Sequence, residues 1–261
     1  MTCVVCGSEI SRGSFVRCSF CGLVQVVPML TSKEIAKLYH EDFDHFTPYL
    51  EQIDVHREYF KKKVQEIKKT GSLLDIGCAM GALLEEAQKQ GMKAMGVDIS
   101  QDAVSYCREK GLDVSVTWPK KMFDVVTVFQ IIEHERDPLG FMRRVYKLLK
   151  KGGMVMLATP NHGGFWRKIM GKYWVGFTHP EHVVLLDFQS MRYLLEKVGF
   201  HDIDIQRDSP RPFPLSFAFT RAADYFPMFA WFLKPIGKFL DRYKFINPIN
   251  PWDDMIVYAK K

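Results

Sequence analysis

The fold is decided by the stretch Ser72-Leu73-Leu74-Asp75-Ile76-Gly77-Cys78-Ala79-Met80-Gly81. Its apolar residues predict a buried parallel strand, and the helical periodicity that begins at Leu83 predicts that this strand turns directly into a helix. The small residues of the turn allow a ligand to approach the backbone closely. About 20 residues later a second apolar strand closes on Asp98, and an acidic residue at that place is suited to binding ribose hydroxyls.

The spacing Asp75-x-Gly77-x-Ala79-x-Gly81 resembles the first motif of class I S-adenosylmethionine-dependent methyltransferases, and Asp98 stands at the acidic position of their second motif. The resemblance covers residues 72–206 and the last strand. It implies an α/β fold, a Rossmann-like doubly wound seven-stranded sheet within residues 71–261. It also implies S-adenosylmethionine as the cofactor. The cofactor-binding residues expected from the resemblance are Asp75, Gly77, Cys78, Gly81, Asp98, Ile99 and Gln130.

One position departs from the family pattern. Many members carry an acidic residue after the third strand, here predicted at 114–116, where it binds the adenine amino group. This chain instead has Thr117-Trp118-Pro119-Lys120-Lys121. Trp118 either stacks on adenine or packs as an ordinary aromatic side chain.

The chain opens with two CxxCG knuckles, formed by Cys3 with Cys6 and by Cys18 with Cys21. Each knuckle presents two sulfurs to one ion, and its glycine permits the positive φ that closes the turn. Four thiolates favour a closed, tetrahedral, structural zinc site, and two redox-active dithiols are the alternative. Residues 1–28 are therefore predicted to form a zinc ribbon that needs its metal to fold. Such a ribbon caps the catalytic domain, contacts the substrate or binds a partner.

Composition limits the classes of function. The 261 residues carry a formal net charge of +6, and 47% of them are hydrophobic, so a sizeable core is available. Four zinc-bound thiolates lower the charge to about +4, well short of a dedicated nucleic-acid-binding domain. The N-terminus lacks the pattern of a signal peptide. The metal-type cysteine spacing, with Cys78 and Cys107 outside the knuckles, favours a reducing cytoplasm as the location.

Residues 29–70 are predicted to form a helical N-terminal cover. A first helix contains Ile35 and Leu38, an aromatic loop follows at 39–46, and a second helix runs over 49–69. In the methyltransferases that this chain resembles, the segment before the first strand often folds over the cofactor. Packing in the core is the alternative for each aromatic residue of the loop.

Three histidines are candidates for a general base. The apolar strand at 123–129 ends just before Glu133 and His134, a place that in the resembled family lies beside the transferable methyl group. Ligands in doubly wound sheets bind outside the carboxyl ends of the strands, so this loop is expected to line the pocket. Glu133 is predicted to tie the loop to the following helix, and positioning the cofactor or taking a substrate proton is its alternative role. His179 and His182 are expected to face His134, and one of the three takes a substrate proton if the acceptor requires it.

The segment 162–182 is expected to select the substrate, because long loops over a rigid sheet often carry function. Its aromatic and basic side chains suit an anionic ligand that carries a ring or a phosphate. These side chains are Phe165, Trp166, Arg167, Lys168, Lys172, Tyr173, Trp174 and Phe177.

Residues 208–251 are predicted to form an apolar helical insertion before a last strand at 255–259. Prolines and charged residues interrupt the apolar sequence, which argues against a membrane-spanning helix. Apolar bulk edged by Lys and Arg over 213–244 fits an element that lies on a membrane surface. A lid over a greasy substrate and a helical pair packed on the sheet or on a second subunit are the alternatives.

A ribbon ahead of such a domain resembles the zinc-knuckle methyltransferases of polysaccharide, sugar and lipid biosynthesis. The function predicted from this resemblance is methylation of a small or lipid-linked metabolite, glycan-related in type, in one displacement step. Methylation of ribosomal or transfer RNA is the main rival, and modest charge argues against it. A non-catalytic cofactor-binding adaptor is the third possibility, disfavoured because Asp75, Gly77, Gly81 and Asp98 are all in place.

Overall fold

The computed structural model describes residues 1–31, 34, 49–50, 52–67, 71–179, 181–209, 213–214, 216, 219, 222–223, 227–241, 246–247 and 253–261. The first helix and the aromatic loop expected in the N-terminal cover lie outside these residues. The second helix of the cover ends at Glu66 rather than at 69. Ile67 leaves the helical conformation, with φ −77° and ψ 89°, and its side chain is buried in the core.

The elements of the described residues fall into strands and helices. The strands are β1 (Gly13–Arg17), β2 (Val24–Val27), β3 (Ser72–Ile76), β4 (Lys93–Val97), β5 (Val114–Ser115), β6 (Phe123–Phe129), β7 (Leu149–Thr159), β8 (Val184–Leu185), β9 (His201–Arg207), β10 (Phe213–Pro214), β11 (Ile246–Asn247) and β12 (Met255–Lys260). The helices are α1 (Ile53–Glu66), α2 (Ala82–Lys89), α3 (Gln101–Glu109), α4 (Pro138–Leu148), α5 (Phe165–Met170), α6 (Val175–Thr178), α7 (Phe188–Val198) and α8 (Ala230–Asp241). Short 3₁₀ turns cover Ile132–His134, Gly171–Tyr173 and Pro227–Phe229.

Within the described residues, seven strands form the main sheet in the order β5-β4-β3-β6-β7-β12-β9. Strand β3 pairs in parallel with both β4 and β6, whereas β12 runs antiparallel to its neighbours β7 and β9. The strand order reverses between β3 and β6, and ligands bind at such a point. The doubly wound seven-stranded sheet expected from the sequence is confirmed.

Apolar cores cover both faces of this sheet. Leu73 and Leu74 are adjacent on β3 and both fully buried, yet they belong to different clusters, as the alternation of side chains along a strand requires. The cluster of Leu73 includes residues of α1, α2 and α3. The cluster of Leu74 includes residues of α4 and α7, together with Leu23 of the cysteine-bearing segment 1–28, which is called the ribbon below after its predicted fold. The ribbon therefore shares a core with the main domain.

Several helix ends lie where short sequence signals predict them, with Ser or Asp before the first turn and Gly after the last. Ser100 and Asp187 cap α3 and α7 with their side chains, and Gly199 ends α7 in the left-handed conformation.

One boundary differs from the prediction. The pair Gly152-Gly153 predicts a helix that runs to Lys150 and a strand that begins at Met154, but α4 ends at Leu148 and β7 begins at Leu149. Leu149 is fully buried and pairs with Phe123, so packing extends the strand toward its amino end, beyond the two glycines. The register of the pairing with β6 shifts between Phe123 and Val125. The strand before Asp98, predicted over 95–97, begins two residues earlier at Lys93, and the remaining predicted strands agree with the structure to within one residue.

A second, small sheet joins the ribbon to the segment before α7. Strand β1 pairs with β2, and β2 pairs with β8, all antiparallel. The segment 162–182, expected as a long loop, contains the helices α5 and α6 and leads directly into β8. The ribbon is thus joined by a strand to the segment expected to select the substrate.

The described part of the insertion 208–251 contains the β10–β11 pair and α8. Helix α8 contains Pro235, and large apolar side chains are exposed on and just before it. These side chains are Met228, Phe229, Trp231, Phe232 and Phe239. In the described part of the chain, none of the helices combines the length and apolar character needed to cross a bilayer.

Candidate cofactor and acceptor site

The turn between β3 and α2 lies against the loop that follows β6. Gly77 has φ +77° and Gly81 has φ +76°, conformations that glycine adopts without strain. A Cβ atom on Gly77 would lie 2.3 Å from Cδ1 of Ile131, so a side chain there would collide with that loop. The Gly77 amide donates to the carbonyl of Val97, 2.7 Å away, which ties the turn to the end of β4.

Asp98 joins the end of β4 to the same turn. Its Oδ2 accepts a hydrogen bond of 2.8 Å from the Ala79 amide, and its Oδ1 accepts one of 2.9 Å from the Ser100 amide. The carboxylate predicted to meet the cofactor therefore also organises the glycine turn. Ile99, the next residue, is 73% exposed and accessible to a ligand.

Asp75 lies in the interior of the sheet, 4% exposed, and its Oδ1 accepts a hydrogen bond of 2.7 Å from the Thr127 hydroxyl. Burial raises the pKa of the Asp75 carboxyl to about 7, the bond from Thr127 opposes this, and the nearby Asp98 charge adds to it. Cys78 is also buried, and a Cβ on Gly96 would lie only 2.6 Å from its Sγ. The Cys78 side chain packs in the core, so a contact with a cofactor involves its backbone.

Gln130 begins the loop after β6 with φ +55°. Its side-chain amide donates to Oδ2 of Asp254 at 3.2 Å, and Asp254 is 4% exposed. Asp254 precedes β12, and since β12 is antiparallel to β7, its first residues lie at the carboxyl edge of the parallel strands. Sequence reasoning missed this residue. The signal was an acidic pair directly before an apolar strand, but its meaning depends on the strand's direction.

Glu133 is fully buried, and its Oε2 accepts a hydrogen bond of 2.9 Å from the Thr159 hydroxyl at the end of β7. Its carbonyl accepts from the Val183 amide at 2.9 Å. These two hydrogen bonds tie Glu133 to the end of β7 and to the segment before β8, whereas the sequence predicts a tie to the following helix, α4. The reason is topological, since these two segments converge on the loop after β6.

The structure brings His134, His179 and His182 together. The ring centroids of His134 and His182 are 4.9 Å apart, and those of His179 and His182 are 5.0 Å apart. His134 Nδ1 donates to the Glu181 carbonyl at 3.2 Å, and His179 Nδ1 donates to the Glu181 carboxylate at 2.9 Å. The mutual approach predicted from the sequence is therefore present at the end of β6.

His182 is oriented and kept neutral. Its Nδ1 donates to the Gly176 carbonyl at 3.1 Å, which leaves Nε2 as the basic nitrogen. Burial, followed by the neighbouring imidazoles of His134 and His179, lowers the pKa of His182 to about 3. Side-chain ligand atoms of Glu133, His134 and His182 lie within 4.8 Å of one another, so the cluster has donors for a cation as well as for a proton.

The four ribbon cysteines converge on one point. Cys3 Sγ lies 3.6 Å from Cys21 Sγ, and Cys6 Sγ lies 3.5 Å from Cys18 Sγ. All four sulfurs are within 4.8 Å of one another. Sulfurs around a tetrahedral zinc ion with bonds of 2.3 Å are separated by about 3.8 Å, so the donor set fits zinc.

Trp118 follows the packing alternative, and Trp174, expected among the substrate-selecting side chains, is packed as well. The Trp118 ring is covered by the Arg144 guanidinium at 3.9 Å and meets the Phe141 ring edge-on. Trp174 is fully buried with Val24 and Leu185.

The chain is similar to known methyltransferases in sequence and in fold. A family model described as a methyltransferase domain matches residues 44–205, more than half of the chain. The chain belongs to this methyltransferase family. A ubiquinone biosynthesis O-methyltransferase of Methylococcus capsulatus is 36% identical to it over 102 residues, which are 34% of this chain and 43% of that protein. One of Caulobacter vibrioides is 37% identical over 103 residues, 34% of this chain and 41% of the relative.

This methyltransferase thus spans less than half the length of these curated relatives. Among solved structures, an S-adenosylmethionine-dependent methyltransferase from Archaeoglobus fulgidus aligns with a TM-score of 0.55 at 20% identity, over 84% of this chain and all of that one. That likeness establishes the fold. The family model and the fold together show that residues 44–205 belong to a methyltransferase domain with a Rossmann-like fold.

The buried Asp75 carboxyl predicts an unusual dependence of stability on pH. Because the pKa of Asp75 in the folded protein is raised to about 7, its contribution to stability is complete below the pKa of an unfolded carboxyl. That contribution is lost as the pH rises from there to about 7. The free energy of unfolding should fall by about 1.4 kcal/mol per pH unit over this window through this group alone. In urea unfolding, the free energy of unfolding of Asp75→Asn minus that of the wild type should therefore rise with pH up to about 7 and then level off.

Asp124→Asn is the matched control for this measurement. Lys150 and Ser72 hold the pKa of Asp124 well below its ordinary value, so Asp124 is ionised in both states near neutral pH. Its stability difference from wild type should stay constant from about pH 5 to 8. A pH-independent difference for Asp75→Asn as well would contradict the prediction.

Proposed function

We propose that this methyltransferase methylates a hydroxyl oxygen of a small or lipid-linked acceptor. The observation that carries the proposal is the histidine cluster at the end of β6, in which the Gly176 carbonyl orients His182 and leaves its Nε2 as the nitrogen that can accept a proton. A hydroxyl has to lose its proton as it is methylated, so a neutral imidazole beside the transfer point favours an oxygen acceptor. The relatives named as ubiquinone biosynthesis O-methyltransferases support the same acceptor atom.

The cofactor side of the proposal rests on the glycine turn and on Asp98. S-adenosylmethionine, when bound, supplies a methyl group on a positively charged sulfur. Gly77 and Gly81 let a ligand approach the turn, and Asp98 accepts hydrogen bonds from ribose hydroxyls. Asp75, Ile99 and Gln130, with the Cys78 backbone, complete the proposed binding set. These residues bind and orient the cofactor, so the acceptor oxygen can be aligned with the methyl carbon and water excluded.

The acceptor side of the proposal rests on the histidines. His182 offers Nε2 to the hydroxyl proton, and because burial lowers its pKa and weakens it as a base, His134 and His179 stand next to it as alternative proton acceptors. Their arrangement around Glu181 holds the rings in place. The four ribbon cysteines hold a structural zinc ion in this proposal, because a closed set of thiolates leaves no position open for substrate.

The test of the function is transfer of radiolabelled methyl from S-adenosylmethionine into separated cell fractions. We expect label in the lipid fraction, either in a quinol-type lipid or in a lipid-linked glycan, and none with Asp98→Ala. Label confined to free nucleotide sugars would point to a glycan precursor. Label in ribosomal or transfer RNA, or label that resists separation from protein, would overturn the proposed acceptor class.

Removal of the proposed base predicts a loss of turnover without a loss of cofactor binding. His182→Asn keeps a side-chain amide near the Gly176 carbonyl but removes the basic nitrogen. Its kcat should fall by about 100-fold or more, the usual contribution of a general base, while the Kd for S-adenosylmethionine in calorimetry stays unchanged. His201→Ala, at an exposed histidine on β9, should leave both quantities as in wild type. A normal kcat in His182→Asn would exclude this base.

We also propose that α8 contacts a membrane surface. Trp231, Phe232 and Phe239 are exposed on it, and Lys234 and Lys238 supply positive charge on the same helix. A lipid-linked acceptor has to be reached at such a surface, and apolar bulk with basic residues suits an anionic interface.

Vesicle binding tests this contact. Trp231→Ser should weaken cosedimentation with anionic phospholipid vesicles by about tenfold, since burial of a large aromatic side chain is lost. Met122→Ser is the control, because Met122 is exposed just before β6, at the amino edge of the sheet. Equal binding of wild type and Trp231→Ser would reject the contact, and so would equal losses in the two variants.

A further inference from the structure

The ribbon supplies the strand that holds the residues directly after His182. In the small sheet, Gln25 pairs with Val184 and Val24 pairs with Leu185. The Val26 amide donates to the Val183 carbonyl at 3.0 Å, while the Val183 amide donates to the Glu133 carbonyl at 2.9 Å. Val183 therefore bridges the ribbon strand and the loop after β6.

A small apolar core next to this sheet connects the ribbon to the residues that precede His182. The ring of Phe15, on β1 of the ribbon, lies 4.6 Å from the ring of Phe177, and Phe177 meets the Trp174 ring at 5.6 Å. Trp174 is fully buried, in a cluster with Val24 of β2 and Leu185 of β8. This core consists of ribbon residues and residues of the segment 162–185 together.

Trp174 contacts the backbone group that orients the proposed base. A Cβ atom on Gly176 would lie 2.0 Å from the Trp174 ring, so the Gly176 backbone rests directly on the indole. The carbonyl of Gly176 is the group that accepts the hydrogen bond from His182 Nδ1. The position of His182 is thus set by Trp174 below and by Val183 beside it, and both are held by the ribbon.

We propose that the ribbon is the positioning element of the acceptor site, with Phe15 and Trp174 as its positioning residues. The inference deepens the proposed function and rests on it where the acceptor is concerned. A segment of this size with a four-cysteine site folds on its metal. The loaded ribbon then orders the segment that carries His179 and His182, while the glycine turn and Asp98 are hydrogen-bonded to the end of β4 and to the residues that follow it. Loss of ribbon contacts should therefore change acceptor turnover and spare cofactor affinity.

Phe15→Ala and Phe20→Ala form a matched pair for the test. Both remove an aromatic ring from the ribbon, but Phe15 packs on Phe177, whereas Phe20 is 62% exposed and meets Tyr193 of α7 edge-on. Metal content by mass spectrometry should be one zinc per chain in wild type and in both variants. This measurement separates a loss of positioning from a loss of the metal site.

Amide hydrogen exchange reads the positioning without any substrate. In Phe15→Ala, exchange at residues 181–186 should rise by about tenfold, and β3 should remain as protected as in wild type. Its kcat should fall by about tenfold with an unchanged Kd for S-adenosylmethionine, because small misplacements of a catalytic group are costly. Phe20→Ala should match wild type in all of these measurements.

Cys18→Ser provides a second, independent perturbation. It should lose the metal and raise exchange at residues 181–186 more than Phe15→Ala does, again with β3 protected. Unchanged exchange at 181–186 in Phe15→Ala overturns the inference, and so does an equal rise in Phe20→Ala. These outcomes do not depend on an acceptor, so they stay distinct from a failure of the proposed function, which would show as absent methyl transfer with the exchange pattern as expected.

Discussion

The close approach of Gly77 to Ile131 is the constraint on which the site depends. It presses the turn after β3 against the loop after β6, with no room for a Cβ atom between them. The first of these segments carries the cofactor motif, and the second leads within three residues to His134. This contact between the Gly77 backbone and the Ile131 side chain therefore brings the proposed cofactor side and the proposed acceptor side next to each other, at the reversal of strand order between β3 and β6.

Buried carboxylates gather around this contact. Asp75, Glu133 and Asp254 are each almost inaccessible to solvent, and each is hydrogen-bonded to a side chain from a different strand or loop, namely Thr127, Thr159 and Gln130. Burying a carboxyl group costs free energy, which is why such groups concentrate where chemistry or ligand binding requires them. The hydrogen bonds also link β3, β6, β7 and β12 at the edge where substrates are expected to meet. Stability and site geometry are coupled there.

The ribbon changes how the organisation of the chain is understood. From its cysteines it is a separate metal module, but Leu23 lies in the core cluster of α4 and α7, and β2 pairs with β8. Further contacts reinforce the junction, including a bond from Lys197 to the Val5 carbonyl at 2.8 Å and one from His162 to the Gly22 carbonyl at 3.3 Å. The ribbon is therefore joined by strand pairing and packing to the segment that carries two of the three histidines.

The sequence by itself determined the features that depend on neighbouring residues. The glycine turn with Asp98, the strand that ends before Gln130, the helix caps at Ser100 and Asp187 and the two cysteine knuckles all follow from short patterns, because backbone conformation and strand burial are largely local properties. The fold class and the resemblance to the methyltransferase family followed from these patterns. The boundary between α4 and β7 did not, because long-range pairing of Leu149 with Phe123 outweighed the local glycine signal.

Only the tertiary structure decided what depends on separate segments that converge. The place of Asp254 beside Gln130 required the antiparallel direction of β12, and the packing of Trp118 under Arg144 required the position of α4. The pairing of the ribbon with β8, and the stack from Phe15 through Trp174 to Gly176, join residues more than 150 positions apart. No local pattern carries such information, since it arises from how the apolar faces of distant elements bury one another.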